Sequence, residues 1–153
     1  DVCSSDLQAI PFCPATTVIY MTIYPLMWLA PFALETPRQI RALCWSLAGV
    51  IGAAGICFLL CPAQLAFSDS SSSALFQFAD RLNGDFNLVP SLHVALAVTC
   101  VGAYRSRWLW LWAVAIAAST LLTHQHHVVD VATGWLLGIA GARLYRGINQ
   151  SQL

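Results

Sequence analysis

All four histidines of the 153-residue chain, His93, His124, His126 and His127, lie at the edges of apolar runs. Asp130 follows His126 by four residues, so on a helix the two share a face and the carboxylate can accept a hydrogen bond from the imidazole. An ionisable residue at mid-bilayer costs about 2.5 to 3.5 kcal/mol, less near the interface, so Asp130 needs a partner and His126 is the nearest. A histidine oriented by an aspartate is a good nucleophile or base, because the carboxylate fixes the tautomer and stabilises charge as the ring reacts. A second histidine, His93, can then protonate a leaving group. Pro90-Ser91 ahead of it reads as a helix start, where free backbone N–H groups and the helix dipole favour an anion. Together these residues point to phosphoryl transfer through a phosphohistidine. Singly they are ordinary: Ser91 an N-cap, a membrane histidine a helix-to-helix hydrogen bond, His126 with Asp130 a structural pair.

The elements that must position them are membrane helices. Hydrophobic residues make up 58% of the chain and charged ones 9%, against roughly 25% charged in soluble domains. The seven basic residues, all Arg, balance seven acidic ones, which excludes a cationic surface for nucleic acid. Spanning about 30 Å of hydrocarbon takes about 20 helical residues, and five runs qualify. These are about Thr16 to Leu34, with Pro25 and Pro31 expected to kink or shorten it; Ala42 to Leu60; Ser91 to Tyr104, short and expected to start in a recessed cavity; Trp108 to Leu122; and Val128 to Leu144. Gly49, Gly52 and Gly55 in the second run, and Gly134, Gly138 and Gly141 in the fifth, are spaced for close helix packing. The fold expected is an all-α polytopic membrane bundle with five transmembrane helices. Leu75, Phe76, Phe78, Ala79 and Leu82 add a short amphipathic helix in the long loop, before a turn at Asn83-Gly84-Asp85.

The arginines set an orientation. Arg38 and Arg41, Arg105 and Arg107, and Arg143 and Arg146 fall on alternate connections, which are expected to be cytoplasmic. The loop from Cys61 to Pro90 carries Arg81 against Asp69, Asp80 and Asp85, so it is expected outside, and this places every histidine on the outer face of a bacterial inner membrane. Cys57 and Cys61 lie one helical turn apart, but two ligands are too few for structural zinc, and the cysteines read as small buried hydrophobes. Residues 1–7 resemble a translated sequencing adapter, residues 8–146 form the domain and 147–153 a tail. The chain is therefore expected to be a fragment lacking an upstream helix.

Asn87-Leu88-Val89-Pro90-Ser91-Leu92-His93-Val94-Ala95 resembles the second signature of the type-2 phosphatidic acid phosphatase superfamily, in the Pro-Ser-Leu-His form of its inositol phosphotransferase-like branch. The stretch from Ser119 to Asp130, followed by Gly134, resembles the third signature, with its His and Asp four apart; Ile10 to Pro14 and Tyr20 to Tyr24 resemble the branch's approach into an early span. The resemblance implies a six-helix domain, so that five remain here. It implies His126 as the phosphorylated nucleophile, Asp130 as its orienting partner, His93 as the acid, and Ser91 with the Leu92 backbone amide as phosphate holders. It implies no metal and no cofactor, and a lipid phosphate as partner among membrane lipids.

Two positions depart from the pattern. The first signature's Lys and Arg have no equivalent where the chain reads Phe67-Ser68-Asp69-Ser70, and Thr120 stands where an Arg often follows the serine of the third. Phosphoryl transfer relies on cationic stabilisation of the equatorial oxygens, which leaves Arg81 and His124 as stand-ins, His124 the better placed. Two other readings compete: a b-type haem electron-transfer subunit ligated by His93 and His126 or His127, and a catalytically degenerate scaffold of the same fold.

Overall fold

The computed structural model describes residue 7 and residues 9–62, 71–83 and 88–151. Every regular element among them is helical. A 3-10 turn (Pro14–Thr16) leads into α1 (Thr17–Tyr20), α2 (Ile23–Trp28) and α3 (Ala30–Ala33); α4 (Pro37–Leu60), α5 (Ala74–Asn83), α6 (Leu92–Tyr104), α7 (Leu109–Leu122) and α8 (Val128–Ser151) follow. Of the segment expected to be adapter-derived, Leu7 alone is described, fully buried, and residues 1–6 lie outside the described residues. So do Gly84 and Asp85 of the expected turn.

The first expected span is not one helix but three short ones, and its prolines explain why. Pro25 has no N–H to give the Met21 carbonyl, which accepts from Tyr24 N instead, at 3.4 Å. Pro31 likewise leaves the Met27 carbonyl without its helical donor. The Tyr104 hydroxyl fills that place from α6, 3.4 Å from Met27 O and 2.9 Å from Leu26 O.

The second helix starts earlier than its apolar run. Thr36 and Gln39 form a capping box, with Gln39 N donating to Thr36 Oγ1 and Thr36 N donating to Gln39 Oε1, and Pro37 occupies the first turn. The extra turn carries Arg38 and Arg41, and the Arg38 guanidinium donates to the Asn149 carbonyl near the end of α8. Helix α4 therefore runs antiparallel to α8.

Helices α6 and α8 run parallel, and glycines set their separation. A Cβ at Gly138 would stand 2.6 Å from Val98 Cβ and 2.7 Å from the Ala95 carbonyl oxygen, and one at Gly102 would stand 2.5 Å from Ala142 Cβ. Gly134 meets Ser91 and Gly141 meets Thr99 and Val50, so the small-residue face expected on the fifth run packs as anticipated. The face expected on the second run does not. Gly49 meets Leu144, but Gly52 and Gly55 have nothing within 4 Å, because α4 buries Leu43, Ser46, Val50 and Ala54 and turns these two glycines away. For the same reason Cys44, Cys57 and Cys61 are exposed rather than buried; Cys100, inside α6, is buried.

The bundle exposes large apolar side chains and buries polar ones within a mainly apolar core. Phe32 is 86% exposed, Leu59 84% and Trp28 75%, while Thr99, Ser91, Thr120 and Asp130 are wholly buried. Helices α4 and α8, 24 residues each, are long and apolar enough to cross a membrane, and only 22% and 33% of their apolar windows are buried, unlike core helices of a soluble protein. The amphipathic helix expected in the loop is α5, which buries Phe76 and Ala79. The arginines of α4, α8 and the α6–α7 turn gather at one end of the bundle, and the histidines at the other.

Candidate active site

His126 stands in the turn between α7 and α8, not on a helix as its spacing to Asp130 suggested. The Thr120 carbonyl accepts from both Gln125 N (3.1 Å) and His126 N (3.3 Å), and Thr123 Oγ1 donates to Ser119 O at 2.8 Å. His124 sits at φ 51°, the left-handed region that a non-glycine residue occupies only at a cost, and this reverses the chain before α8 begins at Val128. Asp130, in the first turn of α8, accepts from His127 N through Oδ2 at 2.8 Å. The same oxygen lies 3.6 Å from His126 Nδ1, an ion-pair distance rather than the expected hydrogen bond, because His126 stands in the turn and not one helical turn before Asp130 on a shared face. With the carboxylate beside Nδ1, Nε2 is the nitrogen left to react.

The other half of the site comes from α6. Ser91 N donates to the Asp130 carbonyl at 2.9 Å, which joins the two helix starts, and a side chain at Gly134 would collide with the Ser91 carbonyl. Ser91 takes the N-cap position but its side chain makes no capping hydrogen bond, and Oγ is buried without a partner. Leu92 is the first residue of α6, half-buried, where a backbone N–H has no helical acceptor. His93 lies close enough to His126 for the charge of one to act on the other.

Behind His93 runs a polar chain that spacing alone did not reveal. The Tyr20 hydroxyl lies 3.1 Å from His93 Nδ1, with the two rings stacked at a centroid distance of 4.1 Å. Tyr20 donates to Asn83 Oδ1 at 2.5 Å, Asn83 donates to Gln125 Oε1, and Gln125 donates to Asp80 Oδ1 at 3.2 Å. With its O–H directed to Asn83, the Tyr20 oxygen is left to accept from His93 Nδ1–H, so a second proton on His93 would go to Nε2. The available signal was a tyrosine inside an apolar run, which needs a partner when buried.

The two expected stand-in cations are less central. His124 Nε2 lies 2.9 Å from the Ile10 carbonyl and its ring packs on Phe12, which ties it to the N-terminal segment. Arg81 is exposed in the last turn of α5, the helix that also carries Asp80 and Asn83. Thr120, in place of an arginine, is fully buried and donates to Ala117 O at 2.8 Å.

A family model described as the PAP2 superfamily matches residues 9–144, nearly all of the described chain. The chain belongs to the PAP2 superfamily. No curated protein and no solved structure matches it. Membership suggests phosphatase or phosphotransferase activity and, with the two long apolar helices, a membrane protein. In this PAP2 chain the residues brought together are Ser91, His93, His126 and Asp130, within the matched stretch. Haem ligation, the competing use of these histidines, would leave the Ser91 hydroxyl and the Asp130 carboxylate without a role.

Proposed function

We propose that this chain is an integral membrane phosphatase or phosphotransferase that acts on a lipid phosphate through a phosphohistidine at His126. One observation carries the reading. Among the described residues four buried side-chain atoms lack a hydrogen-bond partner, and three of them, Ser91 Oγ, His126 Nδ1 and Asp130 Oδ1, belong to this one cluster. Buried polar groups are normally satisfied, and an arriving phosphate together with a ring that turns cationic would satisfy these.

His126 Nε2 attacks phosphorus, forming the P–N bond as the P–O bond to the lipid alcohol breaks, and His93 gives its Nε2 proton to the departing oxygen. The Ser91 hydroxyl and the backbone N–H at Leu92 hold non-bridging oxygens. Asp130 stabilises the positive charge on the phosphorylated ring. Water or a second alcohol then attacks phosphorus, His93 takes its proton, and the P–N bond returns its electrons to Nε2. Arginine-bearing connections in the cytoplasm would place this site on the periplasmic or outer face, where a lipid presents its head group without leaving the bilayer.

The test is turnover by the purified protein of a panel of lipid phosphates that includes phosphatidic acid and undecaprenyl pyrophosphate, with acid-labile, alkali-stable phosphoprotein trapped during the reaction. Absence of both across the panel would transfer the chain to the degenerate-scaffold reading. A Soret band in the purified protein would favour the haem reading instead.

Tyr20 acts through His93. Tyr20→Phe is expected to slow turnover by about 10-fold, more for an alkyl phosphate than for a nitrophenyl phosphate, whose leaving group needs no proton. An equal loss on both substrates would show that Tyr20 serves only packing.

A further inference from the structure

At the end of the bundle away from the histidines, a cavity of about 350 Å³ opens between α6, the α6–α7 turn and α8. We propose that it binds the phosphate head group of an anionic lipid from the leaflet at that end, a site separate from the candidate active site. Arg105, Arg107 and Arg146 line it together with Val101, Trp110 and Ile139. Arg105 is held there by a left-handed backbone, φ 58°, at the C-terminus of α6. Arg146 reaches it because α8 runs parallel to α6 in the register of Gly102 against Ala142. Val101, the first residue of α6 in the lining, stands ten residues after Ser91, about 15 Å at the helical rise.

Three arginines contribute to the lining of one cavity, and the Arg107 guanidinium lies over the Trp108 ring at its edge, 5.9 Å from the centroid; like charges gathered in this way repel one another unless an anion joins them. No carboxylate among the described residues does so: Asp80 and Asp130 lie at the histidine end, and Glu35, exposed ahead of α4, is not part of the lining. Arg146 Nε donates to the carbonyl of its own helix at Ala142, which leaves its terminal nitrogens for a ligand. Guanidinium forks match phosphate oxygens in pairs. Free phosphate shares that chemistry, but Val101, Trp110, Ile139 and Ala142 make much of the lining apolar, and beside Trp110 the same helix start exposes Trp108 (72%) and Leu111 (64%). Tryptophan beside arginine at a helix end suits a glycerolipid, whose head group enters a basic pocket while its chains remain in the bilayer.

Native mass spectrometry of the detergent-purified protein measures adducts of phosphatidylglycerol, phosphatidylcholine and inorganic phosphate within the folded population, so a loss of stability does not imitate a loss of binding. Phosphatidylglycerol is expected to bind in preference to phosphatidylcholine, and Arg105→Gln with Arg146→Gln to weaken it by about 30-fold. Arg41→Gln with Arg143→Gln removes the same charge from the same end outside the cavity and is expected to leave the preference in place. Equal losses in the two double variants would overturn the site in favour of diffuse attraction. Equal binding of phosphatidylcholine would overturn it as well, and inorganic phosphate that displaces phosphatidylglycerol at matched concentration would overturn the lipid as its occupant.

Discussion

His126→Ala is expected to abolish both phosphate release and the phosphoprotein, a fall of about 10⁴-fold or more, as removal of a nucleophile does. Asp130→Asn is expected to follow it closely, at about 10³- to 10⁴-fold. The amide keeps an oxygen for the His127 N–H, so the start of α8 persists. That same oxygen faces Nδ1, so a neutral carbonyl replaces the carboxylate beside the ring, and the positive charge of the phosphorylated imidazole loses its counter-charge. A purely structural His126–Asp130 pair predicts the reverse, unchanged chemistry with lowered stability. Rates on a lipid phosphate, read beside thermal unfolding of the same preparations, separate the two. Activity within about 10-fold of wild type in Asp130→Asn would remove the orienting role, since even outer partners of a reacting histidine contribute that much.

The second large effect concerns the fold. Gly138→Ala is expected to destabilise the bundle by about 1 to 3 kcal/mol, because the added methyl meets Val98 Cβ at 2.6 Å and the Ala95 backbone oxygen at 2.7 Å, and backbone cannot give way as a flexible side chain would. Gly52→Ala adds the same methyl to α4 with nothing within 4 Å, and is expected to be neutral or stabilising by up to about 1 kcal/mol through helix propensity. Thermal unfolding in one detergent compares them. Equal shifts would mean that α6 and α8 are not in contact at this register. Gly138→Ala is also expected to reduce turnover, because the α6–α8 separation carries Ser91 to the Asp130 carbonyl.

Sequence spacing carried much of the site but not its internal geometry. His126 and Asp130, four apart, do adjoin, yet through a turn and a helix cap rather than a shared helix face. Four-residue spacing fixes proximity in either arrangement, and only the path of the chain through His124 decides which forms. Gly134, Gly138 and Gly141 and Gly49, Gly52 and Gly55 look alike as patterns, but the first set faces α6 and two of the second face outward. A small-residue stripe shows where a partner could approach, and the direction of approach depends on helices elsewhere in the chain.

By itself the sequence determined the apolar, all-helical character, the places of the arginines, and the order of Ser91, His93, His126 and Asp130 within the stretch that matches the family. These are properties of composition and of spacing within short segments, where helical periodicity converts residue number directly into position. The tertiary structure decided what depends on segments distant in sequence. Tyr20 meets His93 from 73 residues away, Asn83 meets Gln125 from 42, and Arg105 and Arg146 share a cavity only because α6 and α8 are parallel. Such contacts follow from how whole helices pack, and the close approach at Gly102, Gly134 and Gly138 fixes that packing through side chains absent on one helix and present on the other.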